Sequence, residues 1–439
     1  MQGTILTFGI VASILAIVLR PKYALVVYFT ILIWFPDYLR VSIGTIDISC
    51  SRMVATVLLI RCLSNQKLMS KFKWSQFDKI VTYSIMVYVG VTLITRPRWS
   101  LVENRAGFVM DTWFAYMIVR FVITDKEKLV SVIKCVSVVL IPLAILGCIE
   151  AITGWQPFVP LSSLSPWLIR EIVRQYRWGF TRAIGPFEHA ILFGSCFAIF
   201  LPLVYYLRHE KNIWRMLAYL ISGLVFLGAI SSFSMGPLVM IVVVLFCLSM
   251  ERFRVWVKPM IKFFIFSFVF IQLFSNRSFY HVLFSYVGLI GGAGYHRARM
   301  IDLAISHLGE WWLAGYGDRP IDWGWGVWSF EGHTDVTNEY LVAGLRYGLI
   351  GMFFLCMVLF IAFRNLISAY KKSNDPNMKS LYWALGSILL SITVVWTSVS
   401  FFGQLMPLFY CVLGMIGSCT LFTLDIKCKK KKMLYVGSK

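Results

Sequence analysis

Residues Ser275–Asn338 read SNRSFYHVLFSYVGLIGGAGYHRARMIDLAISHLGEWWLAGYGDRPIDWGWGVWSFEGHTDVTN, a stretch rich in arginine, histidine and tryptophan. It stands between two apolar runs, 256–274 and 338–363. About 20 apolar residues cover the hydrocarbon core of a bilayer, so a long polar interval between two such runs reads as a loop joining membrane crossings. Working outward, further apolar runs fall at 4–19, 23–36, 46–64, 79–95, 106–123, 128–150, 189–208, 214–232, 236–250, 380–401 and 404–425. The chain is expected to be an all-α polytopic membrane protein of about 12–13 transmembrane helices with a large helical outer loop.

Composition agrees. Hydrophobic residues make up 59% of 439 positions and only 14% are charged, against about 25% charged in a soluble domain. The first run ends at Arg20-Pro21-Lys22 with no small-residue cleavage site, so it is expected to be retained as a span. Lys+Arg total 42 against 21 Asp+Glu. Many of these cations sit in short connectors, which is the positive-inside pattern and not a nucleic-acid surface. The ten cysteines avoid the polar stretches and imply neither a disulfide framework nor a metal site.

The connectors also set orientation. Lys67, Lys71, Lys73 and Lys79, the stretches 208–211, 251–258 and 364–379, and the tail 427–439 are basic and belong in the cytoplasm. Alternation then puts two polar loops, about 151–188 and 275–337, on the outer face of the membrane, with the N-terminus there too. The chain is expected to form one integral membrane domain without internal repeats. Within the second loop, Met300, Ile301, Ala304, Ile305 and Leu308 recur at helical spacing in Arg297–Leu313, which predicts an amphipathic helix along the membrane surface.

Chemistry-bearing residues concentrate in these loops. Arg170, Arg174, Arg177 and Arg182 precede Gly185-Pro186-Phe187-Glu188-His189. Guanidinium forks suit a phosphate or pyrophosphate; the alternative is headgroup contact or snorkelling. Arg297 lies ahead of Gly315-Tyr316-Gly317, and His333-Thr334-Asp335 ahead of Asn338. An imidazole beside a carboxylate could deprotonate a hydroxyl, although a loop histidine is more often an ordinary surface residue. Trp311, Trp312, Trp323, Trp325 and Trp328 could stack on sugars or simply mark the interface. His281, His296 and His307 lack metal-ligand spacing, and no metal or cofactor is expected. Inside spans, Arg52, Asp111, Arg120 and Arg346 should face protein or a wet cavity. Arg61 could snorkel; Arg346 could reach a lipid pyrophosphate or pair with Asp111.

Three pieces resemble the O-antigen ligase and O-antigen polymerase superfamily of bacterial membrane proteins. Arg182-Ala183-Ile184-Gly185-Pro186-Phe187-Glu188-His189 is similar to its R-x-x-G-x-F-x-H entry to a span. Arg297, separated by seventeen residues from Gly315-x-Gly317, resembles its loop arginine and G-x-G. Asn338-Glu339-Tyr340-Leu341 followed by Gly348 and Gly351 resembles its N-x-Y-L and G-x-x-G helix. The likeness spans most of 128–365. Departures are Ser234-Met235-Gly236 where Ser-Arg-Gly is usual, Arg346 where an acidic residue is common, and His333 set five residues ahead of the asparagine, which makes Asp335 a rival base.

The resemblance implies a metal-independent, inverting glycosyltransferase without cofactors in the bacterial inner membrane. Its site residues would be His333 or Asp335 as base, with Arg182, Arg297, Arg346, Arg177 and Asn338 binding substrate. Its partners would be an undecaprenyl-pyrophosphate-linked oligosaccharide and a glycan acceptor, with a chain-length regulator as a further candidate. A polymerase of O-antigen, capsule or exopolysaccharide ranks above a ligase. The other classes are a lipid-linked oligosaccharide transporter and a non-catalytic scaffold.

Overall fold

The computed structural model describes residues 2–70, 72–163, 165, 174–291, 294–319, 321–323, 329–330 and 333–436; the side chains of 43, 286–291, 329–330, 333 and 423–436 are outside that description. The protein is an all-α, multi-pass membrane protein whose only sheet, among the described residues, is three two-stranded hairpins. Eight helices among the described residues are long and apolar enough to cross a bilayer: Gln76–Thr95, Lys126–Thr153, Ala190–His209, Ile213–Ser231, Arg254–Phe274, Glu339–Lys372, Pro376–Val395 and Leu405–Phe422. Gln2–Val18, Pro21–Trp34 and Met235–Met250 are apolar but shorter.

Two expected runs fold otherwise than as one plain helix. The 46–64 run begins as a strand, Ile46–Ser49, paired antiparallel with Arg40–Ile43, and only then enters the helix Cys50–Ser64. The tight turn between the strands uses Gly44 at φ 66, which glycine adopts at little cost. The 106–123 run is helix up to Val109, a π turn over Met110–Phe114, and helix again over Ala115–Val122. That π turn carries Asp111, whose carboxylate takes both Arg52 Nε at 3.0 Å and Nη2 at 2.6 Å. Asp111 therefore pairs with Arg52, not with Arg346.

Two further intramembrane arginines are also satisfied within the protein. Arg120 meets Asp78, and Arg61 donates to the carbonyls of Ala16 and Leu19 at 2.6 Å each, closing the C-terminal end of the first helix. Local caps set where helices begin: Ser75 and Asp78 form a capping box, and Asp125 and Asp375 cap the helices that follow them.

Packing centres on Ala190–Tyr206, of which nearly every residue is buried between Lys126–Thr153, Ile213–Ser231, Met235–Met250 and Pro376–Val395. At the opposite extreme, Val257–Phe274 has no buried residue, and its phenylalanines are left for lipid. The 275–337 segment is largely helical, Phe279–Gly291, Gly294–Ser306 and Leu308–Trp311. Met300 and Ala304 of the expected apolar stripe are buried, together with Leu303, whereas Ile305 and Leu308 are exposed.

Candidate functional site

The helix Glu339–Lys372 is broken. Gly348 has φ 73 and ψ −179, a conformation essentially reserved for glycine. A break frees backbone groups that must be satisfied elsewhere, and the segment 312–317 satisfies them. Tyr316 N–H donates to Leu345 O at 2.6 Å, Gly317 N–H donates to Arg346 O at 3.1 Å, and Leu349 N–H donates to Trp312 O at 2.8 Å. Contact is too close for side chains: a Cβ on Gly315 would lie 2.5 Å from the Arg346 carbonyl carbon, and one on Gly348 would collide with Leu313 O. The G-x-G spacing is thus a backbone wedge that holds the helix open at Arg346.

Beside that break lies a cavity of about 670 Å³. Arg346 and Glu339 reach it from the helix, Arg105 from Trp99–Val109, Arg319 from the loop after the wedge, and Asp335 from the segment before the helix. Glu339 and Arg346 are seven residues apart, two helical turns, so they lie on one face about 10 Å apart along the axis. Glu339 is buried and its Oε2 accepts from Phe401 N–H at 2.9 Å. Arg346 is exposed to the cavity without an ion pair among the described residues.

Arg105 carries the most information. It is 8% exposed, its Nη1 donates to the Tyr347 hydroxyl at 3.0 Å and its Nη2 to Asn104 Oδ1 at 2.6 Å. Its Nε is buried with no acceptor, and no carboxylate pairs with it among the described residues. Tyr347 is held for this contact by stacking on Tyr88 at 4.4 Å. Burying a guanidinium without a counter-charge is expensive; facing a cavity, such a group can take an anion as its counter-charge.

The other expected residues lie elsewhere. Arg182 and Arg177 sit on the hairpin Tyr176–Arg177/Phe180–Thr181, whose turn residues Trp178 and Gly179 both have positive φ, as a tight hairpin turn requires. Arg182 Nη2 donates to Ser234 Oγ at 2.7 Å and Nη1 to Gln175, while its buried Nε has no acceptor. Burial, with Arg177 nearby, lowers its pKa to about 10. Ser234 opens the Ser-Met-Gly sequence, so this corner is assembled without the arginine expected there.

Arg177 donates to Phe233 O at 3.3 Å. His189 caps the helix that follows, its Nδ1 accepting from Ile191 N–H at 3.1 Å. Burial and Arg182 lower its pKa to about 4, so the ring stays neutral, as an acceptor must. Glu188 is raised to about 7 by burial and by Asp37, against the opposing pull of Arg40.

Arg297 lies on Gly294–Ser306; burial lowers its pKa, and its Nε also lacks an acceptor. Neither Arg182, Arg177 nor Arg297 lines the 670 Å³ cavity. The companions of Arg346 are Arg105 and Arg319, which the sequence did not single out.

Asn338 is a structural cap. Its Oδ1 accepts from Leu341 N–H at 3.1 Å and its Nδ2 donates to Thr397 O at 3.1 Å, so both halves of the amide are engaged within the protein. His333 pairs through its backbone with Phe330, but its side chain lies outside the described residues, as do Arg170, Trp325 and Trp328 entirely. Asp335 offers its carbonyl to His296 Nε2 at 3.4 Å and its side chain to the cavity. Trp311 donates to Ala304 O at 2.8 Å and packs under Gly344, a buried structural role.

Neither a family model nor a curated protein matches the chain. The chemistry of the cavity must carry the reading: three guanidiniums, three carboxylates (Asp318, Asp335 and Glu339) and an aromatic wall beside a broken helix.

Proposed function

We propose that this chain is a glycosyltransferase of the bacterial inner membrane, with about 12–13 spans, that joins undecaprenyl-pyrophosphate-linked glycan units on the outer face. The observation that carries the reading is the buried Arg105, which forms no ion pair among the described residues, opening onto a cavity shared with Arg346 and Arg319. Guanidinium forks match the paired oxygens of a pyrophosphate and keep their charge in a poorly hydrated place. Discontinuous helices place such groups where an amphiphile's headgroup can meet them at the edge of the bilayer.

In the reaction, the acceptor hydroxyl oxygen attacks the anomeric carbon and forms the new glycosidic bond. The bond from that carbon to the pyrophosphate oxygen breaks, and its electron pair leaves with the lipid pyrophosphate. The hydroxyl proton passes to a carboxylate, Asp335 or Glu339. Arg105, Arg319 and Arg346 stabilise the charge arriving on the pyrophosphate, and donors aimed at developing charge in a dry site are the strongest contribution a protein makes to such a step. Displacement from the opposite face inverts the anomeric centre. The polar 275–337 segment is assigned to covering the site and choosing the sugar, with the acceptor being another lipid-linked repeat unit. A ligase would transfer to a different acceptor by the same chemistry.

Purified protein in nanodiscs, given a lipid-pyrophosphate-linked repeat unit, is expected to lengthen it. Transfer only to a core lipid would make it a ligase, and no glycosyl transfer at all would sink the reading in favour of transport or scaffolding. Asp335→Asn and Glu339→Gln separate the two bases: at saturating donor, loss of the true base lowers turnover by about 100-fold or more, while the other variant changes it little.

A further inference from the structure

Far from that cavity, at the other end of Pro376–Val395, the molecule has a second opening of about 990 Å³. The helix between the two is 20 residues long, which at 1.5 Å per residue separates its ends by about 30 Å. The opening lies where Ile213–Ser231, Met235–Met250 and the start of Pro376–Val395 come together, among the basic connectors that the positive-inside rule assigns to the cytoplasm.

Its mouth is cationic. Arg208, Arg252, Arg254 and Lys379 line it against a single carboxylate, Glu251. That carboxylate is already shared: Oε2 accepts from Arg208 Nη2 at 2.7 Å, Oε1 from Ser380 Oγ, and Arg254 approaches at 3.6 Å. Arg252 and Lys379 are left without a carboxylate partner among the described residues. Behind the mouth the wall is apolar, with Leu201, Phe226, Leu245 and Leu248. Within that wall, Ser222 is 8% exposed and its hydroxyl has no partner among the described residues, although a helical serine can ordinarily turn back to its own backbone. His209 Nε2, also on the wall, is buried and has no hydrogen-bond partner among the described residues.

We infer that this opening is a binding site for an anionic phospholipid of the inner leaflet. Its phosphate meets Arg252 and Lys379, its glycerol ester oxygens supply the acceptors that Ser222 and His209 lack, and an acyl chain lies along the leucines. Charge complementarity at the mouth and apolar walls behind it select an anionic amphiphile over a free anion or a neutral lipid. The inference rests on the membrane placement alone and stands or falls separately from the glycosyltransferase reading.

The test uses full-length, delipidated protein in phosphatidylcholine vesicles with and without about one-fifth phosphatidylglycerol. Phosphatidylglycerol is expected to raise the Tm and to remain bound in native mass spectrometry. Arg252→Gln with Lys379→Gln should weaken that binding roughly thirty-fold, the factor for two cations lost beside an anionic surface. The charge-keeping pair Arg252→Lys with Lys379→Arg should retain it, which separates lost binding from lost folding. Equal retention by wild type and the glutamine pair, an equal effect of phosphatidylcholine alone, or an identical Tm shift from inorganic phosphate would each overturn the assignment.

Discussion

Two arginines are buried among the described residues, Arg120 at 4% exposure and Arg105 at 8%, and their surroundings differ in kind. Around Arg120 the charge is balanced within the protein. Nε and Nη2 donate to the two oxygens of Asp78 at 2.6 and 2.8 Å, Tyr116 donates to the same carboxylate at 2.5 Å, and Asp78 also accepts from Ser75 N–H at 2.7 Å. Among the described residues, the guanidinium of Arg105 donates to neutral acceptors, Tyr347 and Asn104, and faces an open cavity whose carboxylates form no ion pair with it. A buried charge with its counter-ion ties helices together. One without it is left for something that comes from outside.

The contrast breaks most visibly at Asp78. Asp78→Ala strands Arg120 in the core and should cost on the order of 3–5 kcal/mol, read as loss of monodisperse folded protein on size-exclusion and a lowered Tm. Arg105→Met should do the reverse. Removing an unpaired buried charge leaves Tm unchanged or higher, while transfer of the lipid-linked glycan falls about 100-fold, and Arg105→Lys fails to rescue because an ammonium lacks the planar fork. If Arg105→Met unfolds the protein as Asp78→Ala does, the distinction between the two regions is wrong.

Gly348→Ala sharpens the comparison from the side of the helix break. Forcing a Cβ into φ 73 against Leu313 O should cost about 1–3 kcal/mol. Activity should fall further than stability because Arg346 moves with the break; kcat and Tm measured together show it.

Glu188 gives the smallest effect and a third kind of burial, a carboxylate shielded beside another carboxylate. Its folded pKa, about 7, lies above the ordinary 4.5, so the folded state holds the extra proton between these values. Stability from this group is present below pH 4.5 and lost as pH rises through 7. Glu188→Gln should flatten that fall in Tm between pH 5 and 8.

The helical architecture was legible because membrane burial acts on runs of residues, and the runs are in the sequence. Partnership is not. Asp111 lies 59 positions from Arg52, and no local pattern distinguished it from a partner for Arg346. Arg105 escaped notice for the same reason: it lies at the margin of an apolar run, and what makes it informative is that, among the described residues, no carboxylate pairs with it. Glu339 was read inside a motif but given no role, since only its cavity and its bond to Phe401 N–H reveal one. The G-x-G was singled out through a family resemblance, whereas the place it takes in the fold, two donors for Leu345 O and Arg346 O, needed the helix it wedges. Asn338 stood out as polar at a helix start, which is also where a cap belongs.

The wedge has a consequence for how this molecule tolerates change. Leu345 O and Arg346 O are answered by main-chain amides alone, so the aim of Arg346 is inherited from the path of the polypeptide, not from any side chain that drift could erode. The surrounding aromatics can be exchanged while the angle of the guanidinium persists. Shortening the 312–317 turn by one residue would instead let the two half-helices anneal into a straight rod, and the arginine would swing about 100° around it.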